Sequence, residues 1–120
     1  MIGTLKALFG RRITLNAIDA KHALDTGSVL VDVRGPGEWQ AGHAPQAMHI
    51  PLDQLTRRLA ELPADRNIIA VCRSGHRSAI AAGQLRRHGR NASNLTGGMN
   101  AWAAAGLPMV TERGTPGQVA

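Results

Sequence analysis

Two short apolar runs, separated by helix-forming segments, constrain the fold of this chain most. Residues 29–33 are apolar except for Asp32, and residues 67–72 contain Ile68-Ile69-Ala70-Val71. Continuous apolar runs of this length are typical of strands buried on both faces, as in parallel sheets. Alternating strands and helices favour a layered α/β fold around a mainly parallel sheet. The 120 residues suffice for one such domain with one core.

The remaining elements follow from local signals. Asn16 is a helix N-cap candidate, and Gly27 follows the end of that helix. Leucines at 52, 55, 59 and 62 recur at helical spacing before Pro63. We predict short strands at 13–15 (an edge strand), 48–50 and 94–95, and helices at 17–26, 38–41, 52–62, 77–88 and 99–105.

The chain ends differ in character from its centre. Residues 1–12 predict a short, mildly amphipathic lead, 13–110 the domain, and the polar Gly- and Pro-containing residues 111–120 a disordered tail. No apolar run approaches the ~18 residues of a membrane-spanning helix. We therefore expect no stable membrane insertion, and the lead lacks the features of a signal peptide.

Charge and residue usage limit the partners. Lys and Arg total 14 against 8 Asp and Glu, a formal charge of +6, which favours anionic partners. Nucleic acid is not expected, because the arginines are scattered and only Phe9, Trp39 and Trp102 are aromatic. The single cysteine excludes an intramolecular disulfide and suggests a reducing, cytoplasmic setting. Five histidines show no paired ligand spacing, so neither a metal nor a cofactor is expected. We expect the protein to be a monomer or a weak dimer.

That cysteine, Cys72, lies where a predicted strand passes into a helix. The carboxyl ends of parallel strands meet at one edge of the sheet, so Asp32 is expected at the same edge. Three features would lower the pKa of the thiol from about 8.5. They are the partial positive charge at the start of the helix, the charges of Arg73 and Arg77, and inward-pointing amides, which Gly75 permits. The alternative is a buried, inert thiol.

The spacing within this loop indicates the size of its ligand. Cys72 and Arg77 enclose four residues, whereas the phosphate loop of cysteine phosphatases has one more between the same two residue types. A smaller ring is expected to fit a smaller group, such as one terminal sulfur atom.

Four blocks of residues occur in order along the chain. They are Val31-Asp32-Val33-Arg34 with Glu38-Trp39; Gly42-His43-Ala44-Pro45-Gln46-Ala47 with His49-Ile50-Pro51-Leu52; Cys72-Arg73-Ser74-Gly75-His76-Arg77-Ser78; and Gly97-Gly98-Met99-Asn100-Ala101-Trp102 with Gly106-Leu107-Pro108. Together these blocks resemble, over about residues 14–108, a known family, the single-domain rhodaneses, which are thiosulfate sulfurtransferase-like.

The resemblance implies a rhodanese-like three-layer α/β/α fold with about five strands, and a sulfur-transfer mechanism. Cys72 would take the outer sulfur of a small anionic donor such as thiosulfate, and pass it from a persulfide to cyanide or to a small or protein thiol. Substrate-binding candidates are the rest of the loop: Arg73, Ser74, Gly75, His76, Arg77 and Ser78.

Two residues outside the loop are weaker candidates. Asp32 is predicted either to brace the loop through an arginine or to cap the next turn. Arg34 is predicted to pair with Glu38, four residues on, and remains a substrate-binding candidate.

Two other functions share these residues. One is a sulfur-relay or adaptor module that acts on a protein partner. The other is a cysteine phosphatase or arsenate reductase, against which the short loop argues.

Overall fold

The computed structural model describes residues 13–120, which form a five-stranded, wholly parallel sheet in the order β1-β5-β4-β2-β3. The predicted α/β fold with about five strands is confirmed, while the predicted lead 1–12 lies outside the described residues. The strands are β1 (Thr14–Leu15), β2 (Val29–Asp32), β3 (Met48–His49), β4 (Ile68–Val71) and β5 (Ala92–Leu95). The helices are α1 (Ala17–Asp25), α2 (Pro36–Ala41), α3 (His76–Arg87) and α4 (Gly98–Ala104).

Both faces of the sheet are buried, as the apolar runs predict. Alternate residues of β4 point to opposite faces. Ile68 and Ala70 lie in a cluster with residues of α3, whereas Ile69 and Val71 lie in a second cluster with residues of α1 and α4. The molecule therefore has three layers, with the sheet in the middle.

The strand register brings three chain segments to one edge. Asp32 is paired with Val71, the residue before Cys72, and Asn94 is paired with Ala70. The carboxyl ends of β2, β4 and β5 are therefore neighbours, and polar side chains at these ends share one site.

The predicted helix over 52–62 is wrong. The segment forms two 3₁₀ turns, Leu52–Gln54 and Leu59–Glu61, although Leu55 and Leu62 are buried in the core as their spacing indicates. Pro63 has no N–H to donate to the Leu59 carbonyl, as an α-helix would require. This carbonyl accepts instead from the Leu62 N–H at 3.1 Å, in the 3₁₀ pattern, and from the Arg90 guanidinium at 3.3 Å.

Residues 111–120 differ from the predicted disordered tail. Thr111 N–H donates to the Thr115 carbonyl, and Gln118 N–H donates to the Ala41 carbonyl at 3.0 Å. The segment thus turns back onto α2. Sequence patterns do not reveal this path, because it depends on a close approach between Gly42 and Gly117: a Cβ on Gly117 would lie 2.6 Å from the Gly42 Cα.

Within residues 13–120, every helix is too short or too polar to cross a bilayer.

Candidate active site

The Cys72 sulfur lies inside a ring of donors between β4 and α3. Gly75 N–H donates to Sγ at 3.1 Å, and the Ser78 hydroxyl lies 3.2 Å from the same atom. The Ser78 and Ser74 amides also favour the anionic sulfur. The sequence predicts such a nest of amides, and the structure places Cys72 in it.

The pKa of Cys72 is lowered from its ordinary value. Burial raises the pKa of this thiol, but hydrogen bonds from the Ser78 side chain and from the amides of Ser78, Gly75 and Ser74 together outweigh burial. The predicted direction is confirmed. The leading causes of the lowering are hydrogen bonds rather than the arginine charges that the sequence emphasises.

The amides can point inward because another helix takes the loop's carbonyls. Met99 N–H donates to the Cys72 carbonyl at 2.8 Å, and Asn100 N–H donates to the Arg73 carbonyl at 3.0 Å. These are amides of the first turn of α4, which helix geometry leaves without partners. The start of α4 thus holds the outer side of the loop.

Glycine is required where α4 meets the loop. Gly98 has φ +59°, and a Cβ there would collide with the Cys72 carbonyl oxygen and lie 2.5 Å from the Arg73 carbonyl. Gly75 has φ +112°, which L side chains rarely adopt. The Gly97-Gly98 turn is therefore the point at which α4 supports the Cys72 loop.

The loop encloses its cysteine more fully than the sequence suggests. Cys72 is 1% exposed, whereas Arg73, Ser74 and His76 are exposed around it. Burial alone would fit the alternative of an inert thiol. The lowered pKa argues against inertness, since burial without hydrogen-bond donors raises the pKa of a thiol.

Arg77 is bound to Glu38 of α2. Its Nη1 and Nη2 donate to the two carboxylate oxygens at 2.7 and 2.8 Å, in a bidentate ion pair. The predicted pairing of Glu38 with Arg34 is therefore wrong. Glu38 and Arg34 are only four residues apart, but the sheet pairs β2 with β4, and the helices that follow these strands bring Glu38 to a partner 39 residues away.

Asp32 instead forms a fully buried ion pair with Arg34. The Arg34 Nε and Nη2 donate to the Asp32 carboxylate at 2.8–3.1 Å, and both side chains are 0% exposed. Nη2 also donates to the Gly42 carbonyl at 2.8 Å. Asp32 thus braces the start of the segment after β2 through an arginine. The Arg34 side chain is enclosed there, which removes it from the surface where a donor would arrive.

Sequence reasoning missed Asn94. This residue is 9% exposed at the carboxyl end of β5. Its Nδ2 donates to the Gly75 carbonyl at 3.1 Å, and its Oδ1 lies 2.5 Å from the Ser78 hydroxyl oxygen. The signal that points to it is a polar residue in a buried strand, which becomes informative only when β5 is known to lie beside β4.

Two histidines near this edge, His43 and His49, have structural contacts. His43 Nδ1 donates to the Trp39 carbonyl at 2.8 Å, and both His43 and His49 stack on the Trp39 ring. Residues 13–120 contain no group of three or more His, Cys, Asp or Glu side chains arranged to hold a metal ion.

Comparison with known proteins places this geometry in a family. The chain is 40% identical over 106 residues to a sulfurtransferase of Allochromatium vinosum, and the aligned region covers 83% of this chain and 99% of that protein. It is 34% identical over 91 residues to the putative sulfur carrier protein YrkF of Bacillus subtilis, covering 75% of this chain but only 49% of that longer relative.

A solved structure and a family profile agree. The crystal structure of a rhodanese-related protein from Thermoplasma volcanium superimposes with a TM-score of 0.77 at 30% identity, over 82% of this chain and 98% of that one. The profile of the rhodanese-like domain matches residues 16–105. The chain, with its donor-ringed Cys72 at the carboxyl edge of a parallel sheet, belongs to the rhodanese-like domain family.

Proposed function

We propose that this protein is a sulfurtransferase that carries a sulfane sulfur as a persulfide on Cys72, from thiosulfate or a related donor to cyanide or a thiol. The observation that carries the proposal is the environment of Sγ. Hydrogen-bond donors converge on it at 3.1 and 3.2 Å, and they lower the pKa of the thiol despite burial. The names of the A. vinosum and B. subtilis relatives support sulfur transfer.

Exposed positive charge recruits the anionic donor. Arg73 is exposed at the mouth of the loop, where His76 is exposed too, and the chain has a formal charge of +6 with histidine counted as neutral. Arg77 contributes less than the sequence suggests, because its guanidinium is committed to Glu38. Electrostatic attraction of this kind raises the rate of encounter more than the strength of binding.

In the loading step, the Cys72 thiolate attacks the outer sulfur of thiosulfate. A new S–S bond forms at Sγ, the S–S bond of thiosulfate breaks, and sulfite leaves with the electron pair. The negative charge then resides on the terminal sulfur of the persulfide. Amides aimed at a developing charge before it forms need no reorganisation, which is the main source of electrostatic catalysis.

In the discharge step, cyanide or a thiolate attacks the terminal sulfur. The Cys72 S–S bond breaks, thiocyanate or the acceptor's persulfide forms, and the Cys72 thiolate is regenerated. No outside oxidant or reductant enters the cycle. A low pKa helps here too, since it makes the Cys72 thiolate a better leaving group.

A phosphatase or arsenate reductase fits the loop less well. A phosphoryl group is held best by a guanidinium that offers two parallel N–H donors. Arg77 already gives both terminal nitrogens to Glu38, and it follows Cys72 after only four intervening residues.

A relay role differs in the acceptor rather than in the chemistry. The sulfur carrier relative supports a protein thiol as the acceptor. The lone free cysteine fits a reducing compartment such as the cytoplasm, and a monomer or weak dimer leaves the loop open to a partner.

The test is the mass of the intact protein after thiosulfate treatment. We expect one additional sulfur atom, removable by a reductant or by cyanide, with stoichiometric release of sulfite. Cys72→Ser should abolish both changes, while His76→Ala, at an exposed loop position, should retain the added sulfur. Thiosulfate turnover by folded Cys72→Ser would refute the proposal, and so would hydrolysis of an aryl phosphate without any sulfur loading.

A further inference from the structure

The Ser78 hydroxyl lies between two hydrogen-bond acceptors. Its oxygen is 2.5 Å from Asn94 Oδ1 and 3.2 Å from Cys72 Sγ. A hydroxyl has one proton to donate, whereas an amide oxygen and a thiolate can only accept. Ser78 can therefore serve only one of these acceptors at a time.

The orientation of the Asn94 amide decides which acceptor is served. Nδ2 donates to the Gly75 carbonyl, which can only accept, so Oδ1 must be the atom that faces Ser78. If Ser78 turned its proton to sulfur, two oxygens would face each other at 2.5 Å with no proton between them. While Asn94 keeps its bond to Gly75, it therefore competes with the Cys72 sulfur for the Ser78 proton and weakens the hydrogen bond that Ser78 gives to sulfur.

Building on the proposed sulfurtransferase function, we propose that Asn94 is a positioning residue that competes with the Cys72 sulfur for the Ser78 hydroxyl proton and so favours the persulfide over the free thiolate. In the free thiolate, Sγ is charged and would gain from the full hydrogen bond of Ser78, which Asn94 weakens. In the persulfide, the charge lies on the terminal sulfur, and Sγ has little need of the Ser78 proton.

The direction of the kinetic effect follows from the two roles of Cys72. A thiolate that is less stabilised is a stronger nucleophile in loading and a poorer leaving group in discharge. Asn94 is thus expected to speed the first half-reaction and to slow the second. This bias suits a carrier that keeps its sulfur until a good acceptor arrives.

The charged side chains around Cys72 are the same in the wild type and in variants of Asn94 or Ser78. On the loop and α3 they are Arg73, His76 and Arg77; across the edge of the sheet and on α2 they are Asp32, Arg34 and Glu38. None is altered by changing Asn94 or Ser78, so a change in the titration of the thiol reports on the hydrogen bond.

The experiment is a double-mutant cycle on the thiol pKa, read from the pH dependence of iodoacetamide alkylation at Cys72. Asn94→Ala frees the Ser78 proton and is expected to lower the pKa by about half a unit, giving about threefold more thiolate at low pH. When Ser78→Ala is already present, Asn94→Ala has no hydroxyl proton to free, so it should leave the pKa of Cys72 unchanged or raise it. Asn91→Ala, which breaks only the exposed bond to Asn67, is the matched control and should leave the pKa unchanged.

The difference between the two backgrounds is the decisive quantity. If Asn94→Ala lowers the pKa equally with and without Ser78, or lowers it in neither background, the proposal is overturned. Asn94→Leu, which keeps the side-chain size, replaces the alanine variant if the latter does not fold, and the same outcomes apply.

This cycle needs no sulfur donor, so it can succeed or fail independently of the proposed function. With thiosulfate and cyanide above the thiol pKa, where both proteins are fully ionised, Asn94→Ala should load more slowly than the wild type and discharge faster, each by about 1.7-fold, because the half-unit change in thiol pKa enters the rates with a Brønsted coefficient of about 0.4–0.5. An unchanged ratio of the two half-reaction rates would overturn the kinetic part of the proposal.

Discussion

Asp32 and Arg34 carry opposite charges in a part of the protein that is closed to solvent. Both side chains are 0% exposed, and three guanidinium-to-carboxylate hydrogen bonds join them. Two charges so placed contribute little net stability as a pair, because both have lost their hydration. Removing one of them, however, leaves the other buried without compensation.

We therefore expect Asp32→Ala to reduce the free energy of unfolding by about 3–5 kcal/mol, measured by urea denaturation. The matched control is Glu61→Ala, which breaks an exposed ion pair with Arg58 of similar length, 2.7 Å, and should cause no measurable change. Equal losses in the two variants would show that the buried pair is not a structural brace.

The importance of single residues was partly readable from the sequence. Cys72 and its loop stand out because a lone cysteine is followed by arginines, glycine and histidine at a strand end. Asn94 does not stand out, since its role depends on β5 lying beside β4 and on the Ala70–Asn94 register. A residue whose function comes from a neighbouring strand carries no local pattern.

Between elements, the ion pair of Glu38 and Arg77 joins α2 to α3. The hydrogen bond from Arg77 lowers the pKa of Glu38 from 4.5 to about 2, against the opposing effect of burial. Because the folded-state pKa lies below the unfolded one, the pair stabilises the protein fully above pH 4.5. This stabilisation is lost as the pH falls from 4.5 towards 2.

Glu38→Gln is expected to remove this dependence. The wild type should exceed the variant in free energy of unfolding by about 1 kcal/mol at neutral pH, a value reduced for the partial exposure of both groups. The difference should shrink through the window from pH 4.5 to 2, as followed by urea denaturation at several pH values. A difference that does not change with pH would contradict the assignment.

The same variant tests whether Arg77 is withheld from the substrate. With its carboxylate partner gone, the guanidinium is free to attract thiosulfate, so the KM for thiosulfate should fall, by about threefold. A KM that rises would mean that Glu38 positions Arg77 for the donor instead of sequestering it.

The contact of α4 with the loop rests on Gly98. Gly98→Ala should displace α4 from the carbonyls of Cys72 and Arg73, loosen the inward amides and raise the pKa of the thiol, read from alkylation against pH. Gly89→Ala is the matched control: Gly89 also has a positive φ, +78°, but nothing lies within 4 Å of its would-be Cβ. Both variants are expected to lose stability from backbone strain, but only Gly98→Ala should raise the pKa of the Cys72 thiol.

A thiol pKa raised equally in both glycine variants would indicate a global effect rather than support of the loop by α4.

Element prediction from sequence succeeded where one local cause sufficed. Asn16 caps α1 by accepting from the Asp19 amide at 2.8 Å, as its side chain predicts. The prediction failed at 52–62, where the leucine spacing was right but the Leu59 carbonyl accepts from Leu62 in a 3₁₀ turn and from the Arg90 guanidinium. Arg90 is distant in sequence, so leucine spacing alone could not indicate this.

At the scale of the whole molecule, residues 109–118 close the fold against α2. Val110 pairs with His43, and the Trp39 indole N–H donates to Glu112 at 3.0 Å. The segment lies close to the backbone of Gly42, where a Cβ would meet Gln118 N at 2.5 Å. These contacts are long-range, and most of them involve the backbone, so a polar sequence with Gly and Pro gives no sign of them.

Gly117→Ala is expected to disrupt this closure. Its Cβ would lie 2.6 Å from the Gly42 Cα, so the free energy of unfolding should fall by about 2 kcal/mol, measured by urea denaturation. Gly37→Ala, with nothing within 4 Å of its would-be Cβ, is the control and should not destabilise the protein. The pKa of Cys72 should be unchanged in both variants. If both variants had the same free energy of unfolding, the packing of residues 109–118 against Gly42 would not contribute to stability.

The support of the loop by α4 has a consequence for biosynthesis. The groups that aim the loop, Asn94 and the amides of Met99 and Asn100, all follow Cys72 in the chain. While these residues are still unsynthesised or inside the ribosome, Cys72 is an ordinary peptide thiol. Its full reactivity is expected only when β5 and α4 have emerged and docked against the loop.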